Sequence, residues 1–187
     1  MKKLIIALLF ATPCMAQKIL VNEADAATGA KTILTKGIED TVPKDNESVV
    51  NNGLVFFSAG YQDVQAGSKL SGVYFLSLNI VHDDKRVGCL TQEKGKILLT
   101  LEDGSQITCS QITPTDCDPV GFNADFVLAE KGAGVGVMKA NFEKLQRTKI
   151  KRITIITTET AIKYWVIPSK REELTKHFTL VADALKK

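Results

Sequence analysis

For most of its length the chain alternates apolar and polar residues with a period of two. Only its C-terminal segment switches to a helical period. A period of two sends successive side chains to opposite faces of a strand, and a period near 3.6 draws one stripe along a helix. "KILVNE" and "KTILTK" flank "ADAATGA" and predict a strand, a Gly-containing turn and a strand. "LVFFSAGY" and "SGVYFLSLNIV" are the next two strands, joined through "QDVQAGSKL". In the second of these Val73, Tyr74, Phe75, Leu76, Leu78 and Ile80 put apolar groups on both faces, which predicts a central strand covered on both sides. "GIEDTVPKDNESVVNNG" is polar, with Pro43 and an Asn-Asn-Gly cluster, and reads as a long surface connection with no second domain in it.

The segment 96–111 can be registered by argument. Ile97, Leu99 and Leu101 share one face of the first strand, and Ile107 and Cys109 are the apolar residues of the second. A two-residue turn at Asp103-Gly104 would put these sets on opposite faces. A three-residue loop Glu102-Asp103-Gly104, with Gly104 left-handed, pairs Leu99 with Ile107 and Ile97 with Cys109, so both sets reach one core. Further on, "ADFVLA" is a short strand and "KGAGVGVMK" a flexible glycine-rich connection, after which Asn141 is placed to cap a short helix, "FEKLQR". "IKRITIITTE" and "TAIKYWVI" form a last hairpin that Pro168 ends. Ser169 with Glu172 makes a capping box, and Leu174, Phe178, Val181 and Leu185 make the inward stripe of a closing helix.

Strands followed by one amphipathic helix define an α+β, β-dominated fold, a largely antiparallel sandwich or partly open barrel capped by the C-terminal helix. No solenoid-type repeat is visible. The chain opens "MKKLIIALLFATPCMAQK": two lysines, an apolar run too short to span a bilayer, then small residues before Gln17. This is the anatomy of a signal peptide over residues 1–16, leaving residues 17–187 as a single β-rich domain that is periplasmic or secreted. Ala11, Thr12 and Pro13 before Cys14 do not form a lipobox, so lipid anchoring at Cys14 is not the expectation. No other apolar run is long enough to cross a membrane.

"NEADAATGAK", "LEDGSQIT" and "LQRTKIKRITIITTETAIKYWV", followed by an amphipathic helix, resemble a group of small exported bacterial β-rich proteins of uncharacterised function. The resemblance covers most of the chain after residue 16. It implies export and a β-rich domain, and it carries no catalytic residues with it.

Charge narrows the partners. The 187 residues carry a formal net charge of +3, and removing residues 1–16 takes two lysines and no acid, leaving +1. That balance gives no electrostatic footprint for nucleic acid. The basic run Lys144 to Arg152 reads as a solvated face.

Three cysteines remain after the leader: Cys89, Cys109 and Cys117. Their spacing is far longer than the Cys-x2–4-Cys pairs of a zinc site, and no Cys-x-x-Cys redox pair is present. An oxidising compartment favours a disulfide. The loop with Cys89 precedes the first strand of the 96–111 hairpin and the loop with Cys117 follows its second, so antiparallel pairing brings both to one end of the sheet. Cys89–Cys117 is therefore the expected bridge, with Cys109 free and buried, and Cys109–Cys117 is the second choice.

Other chemistry is sparse. "GAGVGV" lacks the third glycine of a dinucleotide fingerprint and the Gly-Lys-Ser/Thr of a phosphate loop, and no Gly-x-Ser-x-Gly elbow exists. No cofactor is expected. His82, Asp83 and Asp84, with Asp116 and Asp118 at the same end, could meet a cation, but no fixed ligand spacing is present and a polar turn after a buried strand is the expected reading, with no metal site. His177 sits beside the helix stripe as a boundary residue. Among the strand aromatics Phe56, Phe57, Tyr61, Tyr164 and Trp165, core packing is the preferred reading, and the adjacent Tyr164 and Trp165 are the binding candidates, since one of the two faces outward if the sheet has a solvated face. The expectation is an exported, non-enzymatic binding or envelope-structural module whose partner is a protein or glycan of the cell envelope. The alternatives are an envelope hydrolase built on His82 with nearby carboxylates and a small protein inhibitor.

Overall fold

The structure is a computed structural model that describes residues 19–41, 54–66, 69–82 and 85–187. The leader at 1–16 and most of the polar connection before β4 lie outside the described residues. Ten antiparallel strands and two helices follow in the order β1 (Ile19–Ala24), β2 (Lys31–Thr35), β3 (Ile38–Thr41), β4 (Leu54–Ala66), β5 (Lys69–Val81), β6 (Lys96–Leu101), β7 (Gln106–Gln111), β8 (Gly121–Val127), α1 (Val135–Leu145), β9 (Ile150–Ile156), β10 (Ala161–Trp165) and α2 (Pro168–Leu185). Nine strands form one open sheet in the order β1-β2-β4-β5-β8-β7-β6-β9-β10, and β3 pairs with β4 alongside β2.

The sheet curls strongly. Strands β4 and β10 are six places apart, which in a flat sheet would separate them by roughly 29 Å. Instead the rings of Phe57 on β4 and Tyr164 on β10 meet at 5.2 Å across the interior. The concave face carries the core: Val55 and Phe57 of β4, Leu76, Leu78 and Ile80 of β5, Ile97 and Leu99 of β6, Ile153 and Ile155 of β9. The architecture is thus a single open sheet wrapped around its core, which is the partly open barrel of the two sequence alternatives.

Helix α2 spans the opening. It packs against β1 to β4 at one end of the strand order and against β9 near the other. Leu174, Phe178 and Val181 of the expected stripe are buried, with Ala184 and His177 joining them and Leu185 half-buried. His177 is 3% exposed, so it belongs to the core and not to its boundary. The reason is a gap in the ladder. Strand β2 pairs with β4 only as far as Leu34–Gly60, and β3 resumes at Ile38–Phe57, which leaves Ala59 with its β5 partner Leu76 but with no partner on the β2–β3 side. The Thr35 hydroxyl fills the place: Oγ1 accepts the Ala59 N–H at 2.9 Å, donates to the Ala59 carbonyl at 3.2 Å and lies 2.8 Å from His177 Nδ1. With the hydroxyl proton on that carbonyl, His177 Nδ1–H is the donor to the remaining lone pair.

The 96–111 hairpin has the expected register, Leu99 opposite Ile107 and Ile97 opposite Cys109, with Gly104 at φ +83°. A side chain at that φ would be strained, which is why glycine sits there. Other expectations change. In "QDVQAGSKL" residues 62–66 and 69–70 are strand, because β4 and β5 each run 13 residues and pair from Leu54–Val81 to Ala66–Lys69. β5 is central, but its outer face is covered only in part: Phe75 is buried there, whereas Asn79 and Val81 are exposed. α1 starts six residues before Asn141, so Asn141 caps nothing. It lies mid-helix, and its Nδ2 donates to the Leu128 carbonyl at 2.8 Å. Gly136 is helical, which shortens the expected flexible connection. α2 starts at Pro168, which takes the first helical position where a missing N–H loses nothing. Ser169 is therefore inside the helix and forms no capping box, and Glu172 pairs with Lys149 and Lys176 instead.

Candidate functional site

The site grows out of the end of β7. The loop before β6 and the loop after β7 meet in an isolated bridge, Leu90 to Asp116, with each N–H donating to the other carbonyl at 2.8 Å. The disulfide Cys89–Cys117 closes beside it, with Cα atoms 4.3 Å apart and a sequence separation of 28. Cys109 is free and lies in the core, where burial pushes its thiol well above the usual range. Both placements are those expected from the hairpin geometry.

Gln111 ties this corner together. It is 4% exposed, its N–H donates to the Gly95 carbonyl at 3.0 Å, and its Nε2 donates to the Pro114 and Thr113 carbonyls at 2.9 and 3.3 Å. A β-carbon on Gly95 would collide with Gln111 Oε1, so only glycine allows the two loops to approach this closely. Gln92 adds two further ties, from its N–H to Thr115 Oγ1 and from its Nε2 to the Ile112 carbonyl.

These pinned loops form one wall of a cleft of about 600 Å³ on the outer face of the sheet. The opposite wall is the segment from Ala129 into the first turn of α1. Its floor is apolar because outward residues of adjacent strands happen to be valines: Val73 on β5 and Val127 on β8, joined by Ala129 and Met138. Two large apolar residues stand open at its lip, Ile112 at 42% and Val135 at 51% exposure. A second hollow of about 410 Å³ adjoins it and is polar, with Lys94, Lys96, Thr157 and Thr158 in its lining. Gln92, Glu93, Ser110, Glu130 and Lys131 line both hollows, so the two are arms of one groove. Such a volume is within the range of small-ligand sites.

The charges around the groove stand apart from those elsewhere. Glu93, Lys94, Lys96, Glu130 and Lys131 form no ion pair among the described residues. On the α2 side, by contrast, Arg171 reaches Glu102 at 3.2 Å and Glu172 bridges Lys149 and Lys176.

The residues singled out in the sequence lie elsewhere. Tyr164 is 0% exposed and packs on Phe57, so no ligand reaches it. Trp165 is half-buried and faces outward. Its ring is already taken. The β6–β9 register shifts at Thr100/Leu101 and leaves Lys151 without a partner on β6, so Lys151 and Arg152 both lie over Trp165, at 5.8 and 5.1 Å from the ring centre. Phe57 is in the core and Phe56 half-buried. His82 is buried, its ring 4.9 Å from that of Phe122, and it lines neither arm of the groove. Asp83 and Asp84 lie outside the described residues. Asp116 and Asp118 are engaged in turn contacts, accepting the N–H groups of Asp118, Asn123 and Val120. Among the described residues no three His, Cys, Asp or Glu side chains gather to hold a metal ion.

The groove itself was missed in the sequence. Its signal was faint: Val73 and Val127 are apolar on a face where Ser77, Asn79 and Asn123 are polar. No family model, curated protein or solved structure matches the chain. The fold and groove together define a β-rich domain with one disulfide and an open, apolar-floored cleft, and no described helix is long and apolar enough to cross a membrane.

Proposed function

We propose that the protein is an exported, non-enzymatic binding module whose ligand sits in the groove between the disulfide-pinned loops and the start of α1. The observation that carries this reading is the pairing of an apolar floor and open lip, Val127 with Ile112 and Val135, with walls held in place by a disulfide and the Gln111 ties. A preformed concave site loses little entropy on binding, and rigid walls are what such a site needs. Export is supported by the order of parts in residues 1–16 and by the disulfide, which persists in oxidising compartments. Neither arm of the groove is lined by a histidine or a cysteine, so a hydrolase built on His82 has no observation in its favour there.

Two measurements test the reading together. N-terminal sequencing of the native protein, recovered from the medium or the envelope fraction, is expected to begin at Gln17. Mass spectrometry of what it carries is expected to find a bound small molecule that a Ser110→Trp variant, with the indole filling the groove from the outer face of β7, no longer carries. A native protein that begins at Met1 and stays in the cytoplasm ends the export reading. A ligand retained by Ser110→Trp ends the assignment of the groove.

A further inference from the structure

We infer that the ligand is a monomeric amphiphile with a single anionic head, its apolar chain on the Val73–Val127 floor and its head in the lysine-lined arm. This rests on the binding reading above and names the ligand class for the same groove. The two arms differ in chemistry. The larger has Val73, Val127, Ala129 and Met138 beneath Ile112 and Val135 and needs an apolar body to cover it. The smaller has Lys94 and Lys96, with Lys131 at the junction and the Thr158 hydroxyl, which accepts the Cys89 N–H, beside them; the Thr157 hydroxyl is spent on the Val87 and Thr160 carbonyls.

The ammonium groups of these three lysines have no ion-pair partner among the described residues, so a ligand anion displaces no existing pair when it arrives. Glu93 and Glu130 lie at the junction and oppose the lysines there, which leaves the positive excess at the far end of the polar arm. An anion therefore gains most when it sits beyond the junction, and a chain tethered to it then falls back over the apolar floor. A carboxylate or a phosphate ester would meet the same donors. The concave shape suits a single molecule in solution and not the flat surface of a bilayer.

Titration calorimetry with decanoate, decanol and decyltrimethylammonium, each held below its micelle or solubility limit, tests this on the purified protein. Decanoate is expected to bind about fivefold more tightly than decanol, the yield of a few solvated ion pairs. The cationic probe is expected to bind most weakly, and the gap should shrink as salt is raised. The double variant Lys94→Glu, Lys96→Glu is expected to reverse the order of the two charged probes. Decanol binding as tightly as decanoate overturns the head-group assignment and leaves the groove as the site. Preference for the cationic probe overturns it likewise. Binding by none of the three overturns both the inference and the groove. Co-sedimentation with phosphatidylglycerol vesicles without binding of decanoate puts the contact on a membrane surface and overturns the proposal. The wild-type probe series decides by itself, so a variant that fails to fold does not remove the test.

Discussion

The α2 side of the molecule and the groove side use the same residue types to opposite ends. Under α2, apolar side chains are covered, the buried Thr35 hydroxyl has all of its partners, and surface charges are paired: Thr35 joins Ala59 to His177, and Glu172 lies between Lys149 and Lys176. At the groove, Ile112 and Val135 stand in solvent, five charged residues have no ion-pair partner among the described residues, and the backbone is held by a disulfide and amide hydrogen bonds in place of a core. One side is built for stability. The other holds its shape without filling its surface, and a surface that is rigid yet unfilled is where a ligand can gain binding energy.

That contrast can be broken from the stable side first. Phe178→Ala removes a fully buried ring that meets Phe142 edge-on at 6.1 Å, and is expected to destabilise the fold by about 3–5 kcal/mol in urea unfolding. Cys89→Ser opens a loop whose ends are 28 positions apart in sequence and is expected to cost about 3 kcal/mol. Thiol counting on the unreduced wild-type protein without residues 1–16 should find one reactive sulfur, Cys109, and only in denaturant. Because both bridged loops wall the groove, the Cys89→Ser variant should also lose ligand affinity under conditions where it remains folded.

Thr35→Val leaves the Ala59 N–H and His177 Nδ1 without their partner, and about 1–3 kcal/mol is the expected loss. The same contact makes a pH prediction. Burial lowers the His177 pKa below its ordinary value of about 6.5, with Glu173 opposing more weakly. The unfolded chain then takes the proton first, so this contribution is intact above about pH 6.5 and is lost as pH falls from there through the folded value. Unfolding midpoints measured from pH 8 to pH 5 should drop across that window, and drop less in His177→Gln. Smallest of all, Lys131→Glu and Glu130→Lys are expected to move stability by less than about 0.5 kcal/mol, since exposed unpaired charges contribute little to the fold.

How much of this was legible in the sequence follows the same division. The 96–111 hairpin, the last hairpin and the Cys89–Cys117 bridge could be read because alternation and turn geometry are local and leave few choices. The stripe on α2 was legible for the same reason, but its start was not. Pro168 at the first helical position and Ser169 as a cap are both good local solutions, and packing chose between them. His177 looked like a boundary residue because its partner, Thr35, lies 142 positions away. The groove depends on four segments meeting, residues 92–96, 110–112, 127–138 and 156–158, and on Val73 and Val127 sharing an outer face. None of that has a periodic signature. The surroundings of the aromatic pair were not legible for a physical reason as well: Tyr164 is buried against a distant strand, and a register shift at Lys151 brings the protein's own cations over Trp165.

The claim that the groove is the binding site is tested most directly by backbone amide shift mapping on the labelled protein as decanol is added below its solubility limit. The account predicts saturable changes clustered at Val73, Ser110 to Ile112 and Val127 to Val135, with the Trp165 region unmoved. Changes centred on Lys151, Arg152 and Trp165, or no saturable change anywhere, would contradict it.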